Sequence, residues 1–300
     1  MSLRNIRVWM LIFSFILIIF LVSVFGILKV FQKELNERTG KNETLYTTDK
    51  AFFTLNYDSD LERKLKAESM KHEYQHVSIF YQEQNEKFIP LTVETLEWAE
   101  EVSSGILGSY EKRPTDLIFM DREHLQKLSD LDGVSGFYSN FDKVMGIHVH
   151  PDNVESILET PLNNFQRPIL HEYAHFATFR KIEEAGAFPD LFPQWFIEGI
   201  AEYVASDRTE VHYDINQYKI LPLESITWGD GWKEARQIET ADPYMQSYLS
   251  VSYLIQVYGK DILVELIQKT NDTEGFYTVL EKITGKPIAE FEQEVLDYYR

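Results

Sequence analysis

Cysteine is absent from the 300 residues of this chain, and basic residues are few. Without a thiol, the protein has no disulfide bond, no thiolate metal site and no cysteine nucleophile. Its 29 lysines and arginines are outnumbered by 48 aspartates and glutamates, which gives a net charge of −19 at pH 7. A surface of this sign repels phosphate groups, so we expect neither nucleic acid nor an anionic lipid surface as a partner.

Charge is also missing from the run Val8–Leu28 near the N-terminus, which is 21 residues long. As a helix this run measures about 31 Å, enough to cross a bilayer core of about 30 Å. Arg4 and Arg7 precede it, and no acidic residue occurs in the first 30 positions. The positive-inside rule then predicts a single-pass membrane anchor, with the rest of the chain outside the cytoplasm. A cleaved signal peptide is the alternative, but Val-Phe-Gly at 24–26 is a poor cleavage site.

The rest of the chain predicts a polar stalk and one α+β domain. Residues 31–70 are dense in charge, so we predict a stalk there, between an anchor at 1–30 and a domain at 71–300. Strands are predicted at 76–82, at 117–120 and in a hairpin at 136–149. Helices are predicted at 92–107, from 168 onward, and at 244–258, 261–270, 274–283 and 287–299. An extracytoplasmic domain without cysteine fits the surface of a Gram-positive bacterium.

Two of the eight histidines fall in one short segment, His171-Glu-Tyr-Ala-His175. Positions i and i+4 of a helix share one face, so both imidazoles are able to bind one Zn²⁺ at about 2.0–2.1 Å. Glu172 is displaced round the helix from this pair, where it is placed to act as a general base on a water molecule. Two ligands and a base at this spacing are typical of metallopeptidases.

A catalytic zinc site needs a third protein ligand, and carboxylates follow at a suitable distance. Glu198 lies 23 residues after His175, and Gly186 and Pro193 between them predict a loop that joins two helices. Glu202 is four residues further on and shares a helix face with Glu198. The spacing alone therefore leaves two candidates for the third ligand.

The two segments together resemble the gluzincin metallopeptidases, the group that contains thermolysin. The sequence Pro193-Gln-Trp-Phe-Ile-Glu198-Gly-Ile-Ala-Glu-Tyr203 is similar to the pattern Pro-x-Trp-x-x-Glu-Gly-x-Ala-x-Tyr of small bacterial peptidases, and residues 244–254 resemble their tyrosine-rich helix. The resemblance implies a two-lobed zincin-like domain with a cleft between the lobes, a Zn²⁺ cofactor, and a peptide or protein substrate. The Gly-x-Met-Glu-Asn signature of the zinc aminopeptidases is absent, which argues against their recognition of the substrate's amino terminus.

The resemblance also implies roles for individual residues. It makes Glu198 the third metal ligand beside His171 and His175. Glu202 then accepts the free ring N–H of one histidine, or is a solvated helix residue. Family members use a tyrosine or a histidine to stabilise the oxyanion that develops during hydrolysis. The candidates for that catalytic role are, in order of preference, Tyr244, Tyr248 and His212.

Two further features have open interpretations. His148 and His150 point to one face of a predicted strand. Since an edge strand lines the substrate cleft in zincins, the pair is a candidate for contact with substrate or a second metal ion; a solvated strand face is the alternative. The stretch 204–243 shows no clear pattern of helix or strand. It is either a loop over the cleft or an ordinary insertion.

Three functions are compatible with these patterns. The first is a membrane-anchored extracytoplasmic zinc peptidase. The second is a binding protein that keeps the fold without turnover, although the intact ligands and Glu172 count against it. The third is a zinc hydrolase acting on a cell-wall amide, which digestion of purified wall rather than casein would reveal. The sequence indicates no oligomeric state.

Overall fold

The computed structural model of the protein describes residues 3–39, 48, 58–149, 154–209 and 215–300. The chain divides into two compact units, Met1–Asp60 and Leu61–Arg300. Residues 61–70, which the sequence assigned to the stalk, belong to the second unit. The two units are described separately below.

The described part of the first unit is dominated by one long helix, α1 (Leu3–Thr39). Its segment Phe13–Lys33 is apolar, its side chains are not buried, and it is long enough to cross a membrane. Length and composition of this kind are shared by membrane anchors and signal sequences. The structure therefore confirms an apolar N-terminal helix of spanning length. The helix ends at Thr39, within the region predicted as a stalk.

The second unit contains a five-stranded mixed sheet among its described residues. The strand order is β1-β2-β3-β5-β4, and the parallel pairs are β2 with β3 and β3 with β5. Strand β4 is consequently an edge strand, while β5 is paired on both sides. The strands are β1 (Met70–Tyr74), β2 (Val77–Tyr81), β3 (Thr115–Met120), β4 (Gly136–Ser139) and β5 (Val144–His148).

Side chains alternate between the two faces of the sheet along each strand. Buried residues lie on both faces. In β3, Leu117 and Phe119 belong to the main core, whereas Ile118 and Met120 belong to a smaller cluster on the opposite face. The central strands are accordingly apolar on both sides, as is usual for strands paired in parallel and buried between two layers.

Helices make up most of the remaining described structure. They include α2 (Asp60–Ala67), α3 (Ile89–Leu107), α4 (Arg122–Ser129), α5 (Val154–Glu159), α6 (Arg167–Glu184), α7 (Gln194–Ala205), α8 (Gly229–Ala235), α9 (Pro243–Tyr258), α10 (Ile262–Lys269), α11 (Phe276–Thr284) and α12 (Ile288–Tyr299). The described strands all precede α6, and the described elements after it are helical. The predicted α+β class is confirmed, while the two-lobed zincin-like arrangement stays a prediction.

Helices α7 and α9 approach each other unusually closely at Gly199. A Cβ atom on Gly199 would lie 2.4 Å from the Ser247 carbonyl oxygen and 2.5 Å from a methyl group of Val251. Helix α9 begins just before this contact, where the Asp242 side chain accepts a hydrogen bond from the Met245 N–H at 2.9 Å. Glycine therefore sets the spacing between the helix that carries Glu198 and the helix that carries Tyr244.

Candidate metal centre

Helices α6 and α7 bring the predicted ligands together. Pro168 lies in the first turn of α6, directly after the π-helical turn Leu162–Gln166, and its fixed φ suits this position in a helix. The His-Glu-x-x-His segment follows within the next two turns and is continuously helical. The chain then reverses through a loop with Gly186 at φ 73°, and Pro193 immediately precedes α7. Glu198 is thereby placed opposite the two histidines.

Three potential ligand atoms converge at this point. The Nε2 atoms of His171 and His175 are 3.1 Å apart. One carboxylate oxygen of Glu198, Oε2, lies 3.3 Å from His171 Nε2 and 3.5 Å from His175 Nε2. Ligands bound tetrahedrally at about 2.0–2.1 Å lie about 3.3–3.4 Å from one another. The triangle of these atoms consequently matches the spacing that a zinc ion requires.

The surroundings of the Glu198 carboxylate bear on whether a cation could bind at this position. Its Oε1 accepts a hydrogen bond from Gln194 at 2.8 Å. Its Oε2 is buried and accepts no hydrogen bond from the described residues, although it faces both imidazoles. Burial by itself raises the pKa of Glu198, but the neighbouring His175 and His171 hold that pKa far below its ordinary value. An ionised, buried oxygen without a hydrogen bond is stabilised by a positive ion.

Glu202 and Arg167 fix the orientation of His171. Glu202 Oε1 lies 3.0 Å from His171 Nδ1, and Arg167 donates to Glu202 Oε2 at 2.6 Å. If Nδ1 carries the proton and donates it to Glu202, Nε2 carries the lone pair. That lone pair then faces the space between His175 Nε2 and Glu198 Oε2. Burial alone would lower the pKa of His171, yet Glu198 and Glu202 raise it well above its ordinary value in the metal-free protein. Glu202 therefore contacts the Nδ1 side of the His171 ring, whereas Glu198 contacts the Nε2 side.

Glu172 lies beside this triangle and is buried. Its carboxylate and the two imidazoles have ligand atoms within 4.8 Å of one another. Glu198 Oε2 lies 3.3 Å from one imidazole Nε2 and 3.5 Å from the other. Glu198 Oε2 is therefore the carboxylate oxygen that lies within 3.5 Å of both Nε2 atoms. Burial raises the pKa of Glu172, although the nearby His171 and His175 oppose that effect.

Edge strand β4 passes directly over Glu172. A Cβ atom on Gly136 would lie 2.9 Å from both Cγ and Oε1 of Glu172. Only glycine leaves that carboxylate undisturbed. The sequence did not single out Gly136, since a glycine between a predicted turn and strand carries no sign of such a contact.

The three oxyanion candidates have different positions. The Tyr244 ring centroid is 6.3 Å from that of His171, and burial raises the pKa of its hydroxyl group. Tyr248 instead stacks on Tyr203, with ring centroids 6.4 Å apart. His212 lies outside the described residues. Of the two candidates that the structure describes, Tyr244 is the one whose ring lies near His171.

Comparison with known proteins gives this chain a relative. No protein-family model matches it. It is 31% identical over 228 residues to "Uncharacterized protein YhcO" of Bacillus subtilis (strain 168), an alignment that spans 75% of this chain and 70% of the relative. The chain belongs to the YhcO family. Since that description names no activity, the function of this YhcO-family protein is argued below from its own site.

Two cavities flank the ligand triangle in this YhcO-family chain. One, of about 440 Å³, is lined largely by aromatic and aliphatic side chains, among them Phe179, Phe192 and the exposed Trp228. The other, of about 330 Å³, contains Arg167 and Arg236. Glu172, His171 and Tyr244 line both cavities. The arrangement is a cleft with the candidate metal centre in its middle.

Several lining residues were missed in the sequence. Arg167 lies four residues before His171 and thus on the same helix face, a signal that was available. Trp228 and Arg236 lie in the stretch 204–243, for which the sequence left a loop over the cleft and an ordinary insertion as alternatives without singling out either residue. Their place in the cavities depends on packing between distant segments.

The interpretation of His148 as a residue of an edge strand was wrong. Strand β5, which ends at His148, is paired with β3 and β4, so it does not form an edge. Gly136 of β4 lines the cleft instead, and His148 is not among the residues lining either cavity. His150 lies outside the described residues.

Proposed function

We propose that this YhcO-family chain is a zinc-dependent peptidase of the gluzincin type, held at a membrane by α1. The observation that carries the proposal is the convergence of His171 Nε2, His175 Nε2 and Glu198 Oε2 within 3.5 Å. A buried carboxylate, Glu172, lies beside these atoms without completing the triangle. Ligands, base and cleft together form the constellation of metal-assisted hydrolysis.

His171, His175 and Glu198 would hold the metal ion. When bound there, zinc acts as a Lewis acid and lowers the pKa of a water molecule to about 7. Two imidazoles and one carboxylate leave a position open for such a molecule, as hydrolytic zinc sites do. The buried Glu198 oxygen without a hydrogen bond supports this assignment.

Glu172 serves as the general base. Burial raises its pKa above that of an exposed glutamate, which makes the carboxylate a better proton acceptor. It removes a proton from the attacking water and returns that proton to the amine that leaves the cleaved peptide bond. Gly136 leaves this side chain free to face the cleft.

Tyr244 serves as the hydrogen-bond donor. Because burial raises its pKa, the hydroxyl group keeps its proton at neutral pH. Its O–H donates to the substrate carbonyl oxygen as negative charge develops there. The neighbouring Trp232, with ring centroids 5.1 Å apart at 83°, fixes the orientation of the tyrosine ring.

The proposal places the peptidase outside the cytoplasm. Arg4 and Arg7 precede the apolar segment, and positive residues remain on the cytoplasmic side. The acidic, cysteine-free second unit would then act at the surface of a Gram-positive cell. Added protease should degrade that unit in intact cells stripped of their wall; protection until the membrane is dissolved would contradict this orientation.

Zinc content and hydrolysis, measured together, test the proposed function. Full-length protein in detergent should contain one zinc ion per chain by plasma mass spectrometry and should cleave casein. Glu172→Gln should retain the zinc ion and lose cleavage, whereas His175→Ala should lose both. Cleavage by Glu172→Gln, or no cleavage of any peptide by the zinc-loaded wild type, would contradict the proposal.

A further inference from the structure

The smaller cavity beside Glu172 differs in charge from the larger one. Its lining includes two arginines, Arg167 and Arg236, and the amide side chain of Asn163. Asn163 lies in a π-helical turn, Leu162–Gln166, immediately before α6. Such turns often occur at functional sites because they displace side chains from the regular helical path.

The two arginines are in different electrostatic situations. Arg167 is paired with Glu202 at 2.6 Å, so its charge is compensated within the protein. Arg236 donates one hydrogen bond, from a terminal nitrogen to the Asp132 carbonyl oxygen at 3.1 Å, and its guanidinium lies 5.8 Å from the centre of the Tyr244 ring. Among the described residues, no carboxylate lies within ion-pair distance of Arg236.

Arg236 is half-buried and has no ion-pair partner among the described residues, although Glu172 and Glu202 line the same cavity. Apart from the nitrogen bonded to the Asp132 carbonyl oxygen, the guanidinium nitrogens donate no hydrogen bond to the described residues. The planar guanidinium fork matches the geometry of a carboxylate and forms paired, charge-assisted hydrogen bonds with it. The cavity volume of about 330 Å³ is at the lower end of the range for ligand pockets, roughly 300–1,000 Å³.

We infer that Arg236 forms a subsite for a substrate carboxylate close to the bond that is cleaved. The inference rests on the proposed function and narrows its substrate class. The carboxylate has two possible sources, the C-terminal α-carboxylate of a short peptide or an Asp or Glu side chain. The subsite thus selects an acidic group although the protein as a whole is acidic, because local geometry rather than net charge determines recognition.

Paired peptide libraries distinguish the two sources. Full-length zinc-loaded protein in detergent is given random short peptides with either a free or an amidated C-terminus, and the products are identified by mass spectrometry. Arg236→Gln removes the charge, and Arg236→Lys keeps the charge but removes the fork. Lys233→Gln is the matched control, since Lys233 is an exposed cation of helix α8 that does not line this cavity.

Faster cleavage of free-acid peptides would identify the α-carboxylate as the ligand. A preference for Asp or Glu in both libraries would identify a side chain. In either case Arg236→Gln should reduce the preference by roughly ten- to a hundredfold, Arg236→Lys should reduce it less, and Lys233→Gln should retain it. Cleavage without an acidic preference, or with the preference intact in Arg236→Gln, would overturn the inference and leave the proposed function standing.

A binding measurement keeps the inference testable if no peptide is cleaved. Metal-free full-length protein in chelator is titrated with N-acetylglycine and with its amide, followed by ligand-observed nuclear magnetic resonance. Binding of the acid alone, lost in Arg236→Gln but not in Lys233→Gln, would support the carboxylate subsite without reference to activity. Equal binding of acid and amide, or no binding of either, would refute it. A circular dichroism melt shows whether each variant is folded; if Arg236→Gln is not, Arg236→Lys decides.

Discussion

Replacing Gly199 with alanine tests whether the spacing of α7 and α9 is set by the missing side chain. The new Cβ would be 2.4 Å from the Ser247 carbonyl oxygen, whereas ordinary contacts begin at 3.4 Å. Relief requires one helix to move by about 1 Å, and overpacking of this kind costs about 1–3 kcal/mol. Alanine would recover about 1 kcal/mol of helix propensity. Because the obstacle is backbone, we expect the upper end of the cost and a net loss of about 2 kcal/mol.

Gly105→Ala is the matched control for this change. Gly105 lies inside helix α3, and nothing lies within 4 Å of the position its Cβ would occupy. The same substitution there should stabilise the protein by up to about 1 kcal/mol. For a unit of this size, 1 kcal/mol corresponds to about 2–4 °C. Thermal melts followed by circular dichroism should therefore move by about 4–8 °C downward for Gly199→Ala, and upward by up to about 2–4 °C for Gly105→Ala.

A melting temperature of Gly199→Ala equal to or above that of the wild type would refute the steric argument. If the argument holds, activity should fall as well, because the displaced helices carry Glu198 and Tyr244. A shift of about 1 Å in a catalytic group can cost about a hundredfold in rate.

Three further outcomes are expected at the site. Glu198→Ala should weaken zinc binding more than Glu202→Ala, for which a loss of about 10–100-fold is expected; the reverse order in a competition assay with a chelator would exchange their roles. Gly136→Ala should lower kcat by about ten- to a hundredfold at unchanged zinc content, since it displaces Glu172; full activity would show that the contact is harmless. Tyr244→Phe should lower kcat by about a hundredfold or more with little change in the melting temperature, and an unchanged kcat would remove Tyr244 as the donor.

Local patterns in the sequence predicted much of the helical structure. The helices after residue 243 begin and end within two residues of the predicted bounds, because glycines and prolines interrupt an otherwise continuous periodicity. The hairpin at 136–149 was also expected, and its two strands pair antiparallel. Strand β1 was missed, since its residues are mostly exposed and polar and show no apolar alternation.

The order of strands in the sheet was not accessible from the sequence. A hairpin predicts that β4 and β5 are neighbours, but it does not say which of them pairs with a third strand. The structure pairs β5 with β3, which leaves β4 as the edge and places Gly136 rather than His148 beside the cleft. Long-range pairing of this kind depends on how the whole sheet is covered, not on the residues of one strand.

What the sequence alone determined is the ligand face of α6 and the apolar N-terminal helix. The spacing of His171 and His175 fixes both imidazoles on one side of any helix they occupy, and 21 uncharged residues predict an apolar helix of spanning length wherever they fold. The spacing left Glu198 and Glu202 as alternatives, and the resemblance favoured Glu198. The tertiary structure placed Glu198 Oε2 against both imidazoles and Arg236 in the cavity beside Glu172. Both positions depend on packing between segments that are distant in the chain, and such packing leaves no local pattern in the sequence.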